Sequence, residues 1–371
     1  MIAIEIRNIG AALSGGGIRA MVFHLGFFKW LAEHGLFEQV RKISTVSGAS
    51  LCVGMVYAHS NLVWPTSEIF LSKTLPSITD ALKTDLQLSA LLMLPFSPQH
   101  WNKRVNIIAK ALERKWGVSG NLSQLSGNVM WYVNCTTFET GKRFRFCQDD
   151  MGDYILGYVK KPNISVSNIM AASAGFPIGI GPYALKTGDF TWEPPRFANE
   201  NWKPPGNRTV HLWDGGVYDN LGLESVFKQD DGGKLSDGVE YLIISNASSP
   251  LQEQARHKLR ALKNTKRLLD ISADQVSALR TRSVMDFIKD TKQGMYLKIG
   301  NSADAIAQKS KCSKELHSQI VSQCLPTEKA RRAMEYKTTL RRPSNEDFRL
   351  LLQHGYEVAD CTFHCYDEKK G

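Results

Sequence analysis

Residues 9–59 read IGAALSGGGIRAMVFHLGFFKWLAEHGLFEQVRKISTVSGASLCVGMVYAH. Ile9–Leu13 is short and apolar, and Ser14-Gly15-Gly16-Gly17 breaks it. From Ile18 to His34, apolar side chains recur three and four residues apart (Met21, Val22, Leu25, Phe28, Leu31, Ala32), and Gly35 follows where a helix would be capped. Lys42–Val46 reads as a second strand. It runs into Ser47-Gly48-Ala49-Ser50 and then an apolar helix from Leu51 to about His59. Strand, helix, strand, helix in that order implies a parallel sheet covered by helices. The expected fold is therefore a three-layer α/β/α sandwich with a mostly parallel central sheet and a helical C-terminal extension.

The rest of the chain extends this plan. Residues 60–125 read as an amphipathic helical insert punctuated by prolines at 65, 76, 95 and 98. Trp131–Thr137 and Phe144–Cys147 are strand-like, with a turn at Thr140-Gly141-Lys142 that suits a hairpin. The stretch 181–207, rich in Pro, Trp and Gly, reads as a long loop. Thr209–Trp213 is a strand ending in Asp214-Gly215-Gly216, and Val239–Ser245 is a buried strand. After Pro250 the pattern turns helical and basic. The expected division is an α/β core over 1–250 and a mainly helical region over 251–371 packed on it.

Composition sets limits. With 43% hydrophobic and 22% charged residues, the chain is neither disordered nor fibrous. No apolar run approaches the roughly 20 residues that span a bilayer, and the first residues do not resemble a signal peptide. A cytoplasmic protein is expected. The formal net charge of +10 suits an anionic membrane surface better than nucleic acid, because no nucleic-acid motif accompanies it. Much of the excess lies in Arg256, Lys258, Arg260, Lys263, Lys266 and Arg267. Cys361 and Cys365 flank His364, with Cys312, His317 and Cys324 upstream, but the spacing matches no usual zinc pattern. Reduced thiols are the preferred reading, and no metal is expected.

Three features carry chemistry. The first is the turn around Ser50. A serine on a sharp strand-to-helix turn needs small residues two before and two after it, and here they are Gly48 and Cys52. Ser47 competes, but its flanks would be Thr45 and Ala49, and a β-branched Thr fits a crowded position poorly. Ser50 is thus the expected nucleophile. The second feature is Gly15-Gly16-Gly17, whose uncovered backbone N–H groups suit an oxyanion. Arg19 would steady this loop or face a lipid phosphate. Gly15-x-Gly17-x-x-Ala20 also matches a dinucleotide fingerprint, but the acid expected at the end of the second strand is absent. The third is Asp214-Gly215-Gly216, an acid at a strand end placed to take the serine's proton. His211, three residues earlier, would point to the opposite face. A turn that merely connects elements is the default reading of the Ser50 and Asp214 features taken alone.

Taken together these residues resemble the patatin-like phospholipase family. The matching blocks are Gly15-Gly16-Gly17-Ile18-Arg19, Gly48-Ala49-Ser50, Asn134-Cys135-Thr136 to Thr140-Gly141, Ala172-Ser173-Ala174 with Pro177, and Asp214-Gly215-Gly216. They span roughly Ile9 to Ser245, and Cys52 departs from the usual Gly or Ala. The resemblance implies a Ser-Asp dyad, here Ser50 and Asp214, acting through an acyl-enzyme without metal or cofactor. Gly15, Gly16 and Gly17 would bind the oxyanion, with Arg19, Gly48, Gly215 and Gly216 supporting. It implies a phospholipid or other lipid ester as substrate and transient, peripheral contact with the membrane, through the insert at 60–125 or the loop bearing Trp192 and Trp202. Bacterial members include regulated, membrane-damaging effectors. Two rivals stand beside this: a soluble-ester esterase using a histidine such as His257 or His354, and a silent scaffold on the same fold.

Overall fold

The computed structural model describes residues 6–93, 104–176, 181–229, 232–251, 253, 261–310, 312, 318 and 321–367. Strands β1 (Ile9–Leu13) and β2 (Val40–Val46) flank helix α1 (Gly17–Glu33), and helix α2 (Gly48–Ala58) follows β2. α1 closes as the glycine at 35 predicts: Gly35 takes a positive φ of 66° and its N–H reaches the Ala32 carbonyl, while the Leu36 N–H reaches back to Leu31.

The remaining strands are β3 (Met130–Thr137), β4 (Arg143–Phe146), β5 (Asp150–Asp153), β6 (Gly157–Lys160), β7 (Tyr183–Lys186), β8 (Thr209–Asp214), the small pair β9 (Phe227–Lys228) and β10 (Lys234–Leu235), β11 (Tyr241–Asn246) and β12 (Gly294–Lys298). Ten of them form one sheet. Half is parallel, in the order β12–β11–β1–β2–β3, and the other half, β4, β5, β6, β7 and β8, is antiparallel. The sheet is therefore mixed rather than mostly parallel. β1 and β11 are buried at every position, as strands covered on both faces must be. Ile9, Ala11 and Leu13 face α1 and α2, whereas Ala12, Leu242 and Ile244 face Leu221, Leu223, Phe227 and Val284.

One reading is corrected and another refined here. The stretch 181–207 contains β7, whose flanking prolines and glycines hid it. The region after Pro250, expected to be mainly helical, also holds a strand: between the long helix α3 (Ala261–Thr291) and a further helix, Ala303–Ser310, β12 adds an edge strand to the sheet. That region ends in a helix over Asn345–Asp367 lying against α1. A Cβ on Gly26 would fall 2.0 Å from the Leu352 carbonyl oxygen, and one on Gly355 would fall 1.9 Å from that of Phe23. Only glycine at both positions lets the two backbones touch.

Candidate active site

β2 ends at Val46, opposite Asn134 of β3, and β8 ends at Asp214, opposite Cys135. β4 occupies the other flank of β3 over Val133–Thr136, so β2 and β8 lie end to end on the same flank. Asp214 thus arrives on an antiparallel strand, not on the parallel edge that its sequence context implied. The first residue past β2 is Ser47, and its side chain is a hydrogen-bond partner of the Asp214 carboxylate.

Ser47 holds φ 53° and ψ −118°, a conformation that non-glycine residues avoid because it crowds Cβ against the backbone. Close packing enforces it. A Cβ on Gly48 would fall 2.1 Å from the Gly17 carbonyl oxygen, and one on Gly15 would fall 2.9 Å from the Ser47 Cβ. The glycine loop and the serine turn fit together only because these residues lack side chains.

Ser50, the expected nucleophile, is placed beneath the turn and away from the hydrogen bonds of Asp214. α2 begins at Gly48, so Ser50 sits inside the first turn, fully buried, its N–H bonded to the Ser47 carbonyl. Its hydroxyl bonds Thr45 Oγ1 at 2.9 Å and Ser173 Oγ at 2.8 Å. Trp131 Nε1 can only donate, to Thr45 Oγ1 at 2.9 Å, and the Asn134 carbonyl can only accept, from Ser173 Oγ at 2.8 Å. The hydroxyls therefore form a one-way relay, Trp131 to Thr45 to Ser50 to Ser173 to Asn134. Ser173 also accepts the Ser47 N–H at 3.0 Å. Ser50 is part of the support beneath the strained turn, and Thr45, set aside as too bulky, is accommodated because its hydroxyl has partners in the core.

Asp214 is held as firmly. Its N–H donates to the Gly175 carbonyl at 3.1 Å, its own carbonyl accepts from Thr136 Oγ1 at 3.0 Å, and Oδ1 accepts the Gly216 N–H at 2.7 Å. A Cβ on Gly215 would strike the Asn134 carbonyl oxygen at 2.4 Å. Burial raises the Asp214 pKa to about 6, against the lowering effect of Gly216 and Ser47.

The glycine loop is less uniform than expected. The Gly15 N–H already donates to the Asn220 carbonyl at 3.3 Å, whereas the N–H groups of Gly16 and Gly17 have no acceptor among the described residues. Arg19 does not face solvent or a ligand. It is buried, and Nε bonds the Ala247 carbonyl at 3.0 Å while Nη1 bonds the Tyr336 carbonyl at 2.6 Å and Thr338 Oγ1 at 3.1 Å. The Ile18 N–H donates to the Thr339 carbonyl at 2.9 Å. Residues 336–339 thus strap the outside of the loop. Sequence reasoning missed Asn220, which touches both Gly15 and Gly216. It also missed Arg280 of α3, which pairs with Asp219 and Glu224 behind the Asp214 turn. Neither carried a motif.

No described histidine joins Ser47 and Asp214. His211 pairs with Glu139 at 2.7 Å on the opposite face of β8. His354 is buried against Phe23, accepts the Gly300 N–H at 2.8 Å, and has its pKa lowered to about 4 by burial. His257, much of the 256–267 basic run and Pro177 lie outside the described residues. Trp192, offered as a membrane contact, is buried with Nε1 on the Thr187 carbonyl, and Trp202 is half-buried. Phe197 of the same loop is exposed, as are Leu88 and Leu92 of the insert. Phe176 and Val217, close in sequence to the Asp214 contacts, also show apolar surface.

A strained serine thus stands at a buried carboxylate on the rim of a mixed sheet, beside a glycine loop at a helix start, in an α/β sandwich. The patatin-like phospholipase model matches residues 11–227, more than half of the chain, and the chain belongs to that family. No curated protein matches it by sequence. Among solved structures it is similar to human GIVD cytosolic phospholipase A2 in complex with a methyl gamma-linolenyl fluorophosphonate inhibitor and terbium chloride, at 14% identity and a TM-score of 0.52, covering 98% of this chain and 59% of that one. VipD from Legionella pneumophila aligns at 14% identity and a TM-score of 0.39, over 97% of this chain and 67% of that one. The chain thus spans less than two thirds of the human enzyme it matches. No described helix is long and apolar enough to cross a membrane.

Proposed function

We propose that the protein hydrolyses ester-linked fatty acids from phospholipids, with Ser47 as nucleophile and Asp214 as its base. The observation that carries this reading is the Ser47 backbone, held at φ 53° with its side chain at a buried carboxylate. A pKa of about 6 leaves Asp214 ionised at neutral pH yet basic enough to take a proton. Asp214 accepts the Ser47 proton as Oγ attacks the ester carbonyl. The N–H groups of Gly16 and Gly17 supply the donors for the oxyanion. The lyso-lipid leaves with that proton, and water, deprotonated by Asp214, then releases the fatty acid from Ser47. Substrate reaches the site from a membrane surface that the protein contacts peripherally. The apolar residues Phe176, Val217, Leu88, Leu92 and Phe197 are the candidates for that contact. The test is fatty-acid release from mixed anionic and zwitterionic vesicles by wild type, Ser47→Ala, Ser50→Ala and Asp214→Asn. Loss in the first and third variants with survival in the second supports the dyad. Survival in Ser47→Ala sinks it.

A further inference from the structure

At the far end of α1 lies a cluster that lipid hydrolysis does not use. His34 caps α1, and Asp360 and His364 stand four residues apart on the C-terminal helix. His34 Nε2 is 3.5 Å from Asp360 Oδ1, His364 Nε2 is 3.4 Å from the same oxygen, and all three atoms lie within 4.8 Å of one another. Four-coordinate zinc, with bonds of about 2.0–2.1 Å, sets its ligand atoms about 3.4 Å apart. The side chains are 28%, 31% and 46% exposed, so an ion can enter from solvent.

Two further observations favour a cation. His34 Nδ1 lies 2.9 Å from the Trp30 carbonyl, an acceptor, so Nδ1 carries the proton and Nε2 presents its lone pair toward Asp360. Trp30 Nε1 donates to Asp360 Oδ1 at 3.0 Å, and the His34 ring lies 4.8 Å from that of Trp30. This is the outer support that metal ligands require. The two helices also run in the same direction: Phe23 meets His354, Trp30 meets Asp360 and Phe363, and His34 meets His364. Both negative helix ends therefore converge on the cluster, each worth roughly half an elementary charge.

We propose that His34, Asp360 and His364 bind a divalent transition metal, zinc by ligand type, with water in the fourth position, and that the ion clamps the C-terminal helix to α1. The test uses full-length protein without a histidine tag, stripped with chelator, and titrated with Zn2+ and Co2+. One equivalent of Co2+ is expected to give four-coordinate d–d absorption without a sulfur-to-metal band. His34→Gln and Asp360→Asn should each weaken Zn2+ binding by at least about tenfold. Zn2+ should raise the melting temperature of wild type and not of these variants, whose folding is checked by circular dichroism. Equal Zn2+ affinity in wild type and variants overturns the proposal. So does a thiolate band lost in Cys324→Ser or Cys361→Ser, whose thiols lie 3.5 Å apart. Fatty-acid release is scored separately and decides nothing here.

Discussion

Val46 and Asp214 stand opposite neighbouring residues of one strand, Asn134 and Cys135, because the strands they end meet head to head. The approach of Ser47 to Asp214 follows from that meeting. Ser47 needs only to be the next residue, turned back toward the carboxylate by its positive φ.

The two serines are separable. Ser47→Ala is expected to lower kcat on the order of 10^4-fold or more, as loss of a nucleophile does. Ser50→Ala removes one link of the relay, and Thr45 retains the Tyr132 carbonyl as an alternative acceptor. It should lower kcat no more than about tenfold and cost about 1–3 kcal/mol of stability. Fatty-acid release and denaturant melts on the same preparations distinguish these outcomes.

The pH profile should report Asp214. The active form is the carboxylate, so kcat/KM should rise with pH through about 6 and then level off. A midpoint near the ordinary carboxylate value would mean that the base is more solvated than its burial implies.

Stability should run the other way. The folded pKa of Asp214 is raised from 3.8 to about 6, so the native state binds the proton more tightly than the unfolded chain. Stability is then lost as pH rises from about 4 to 6. Two pH units correspond to about 3 kcal/mol. Asp214→Asn is expected to be more stable than wild type at pH 8, with the gap closing toward pH 4, as read by chemical denaturation.

Gly48→Ala should disrupt the site by displacement rather than by chemistry. The new methyl would meet the Gly17 carbonyl, forcing the glycine loop and serine turn apart. The expected result is a loss of kcat of about 100-fold or more together with a lower melting temperature. Unchanged kinetics would mean that the contact between the two turns is dispensable.

Arg19→Met keeps the length of the side chain but leaves the Ala247 and Tyr336 carbonyls without their donor. Burial and the lack of a carboxylate partner in its hydrogen bonds make Arg19 a positioning residue. The expected cost is about 1–3 kcal/mol, with faster proteolysis within 336–342 and intact cleavage elsewhere.

Much of this was legible in the chain. The glycine loop, α1 and β2 were found because periodicity and glycine breaks coincide there. Asp214 stood out because its acid ends a strand and two glycines follow it. The reading that chose Ser50 weighed small flanking residues and did not weigh the strained backbone at Ser47 that Gly48 and Gly15 permit. Nothing local reveals that Thr45 would turn its hydroxyl toward Trp131, 86 residues away. Strand β12 and the strap at 336–339 escaped notice for the same reason: their roles are set by partners distant in sequence.

The strap has a consequence for the timing of synthesis. The loop beside Ser47 gains its contacts to Thr339 and Tyr336 only after residues 317 positions beyond Arg19 have left the ribosome. A nascent chain carries the serine and the aspartate long before it carries the residues that lock the loop between them. A chain that stops short of Tyr336 lacks the hydrogen bonds that hold the glycine loop from outside.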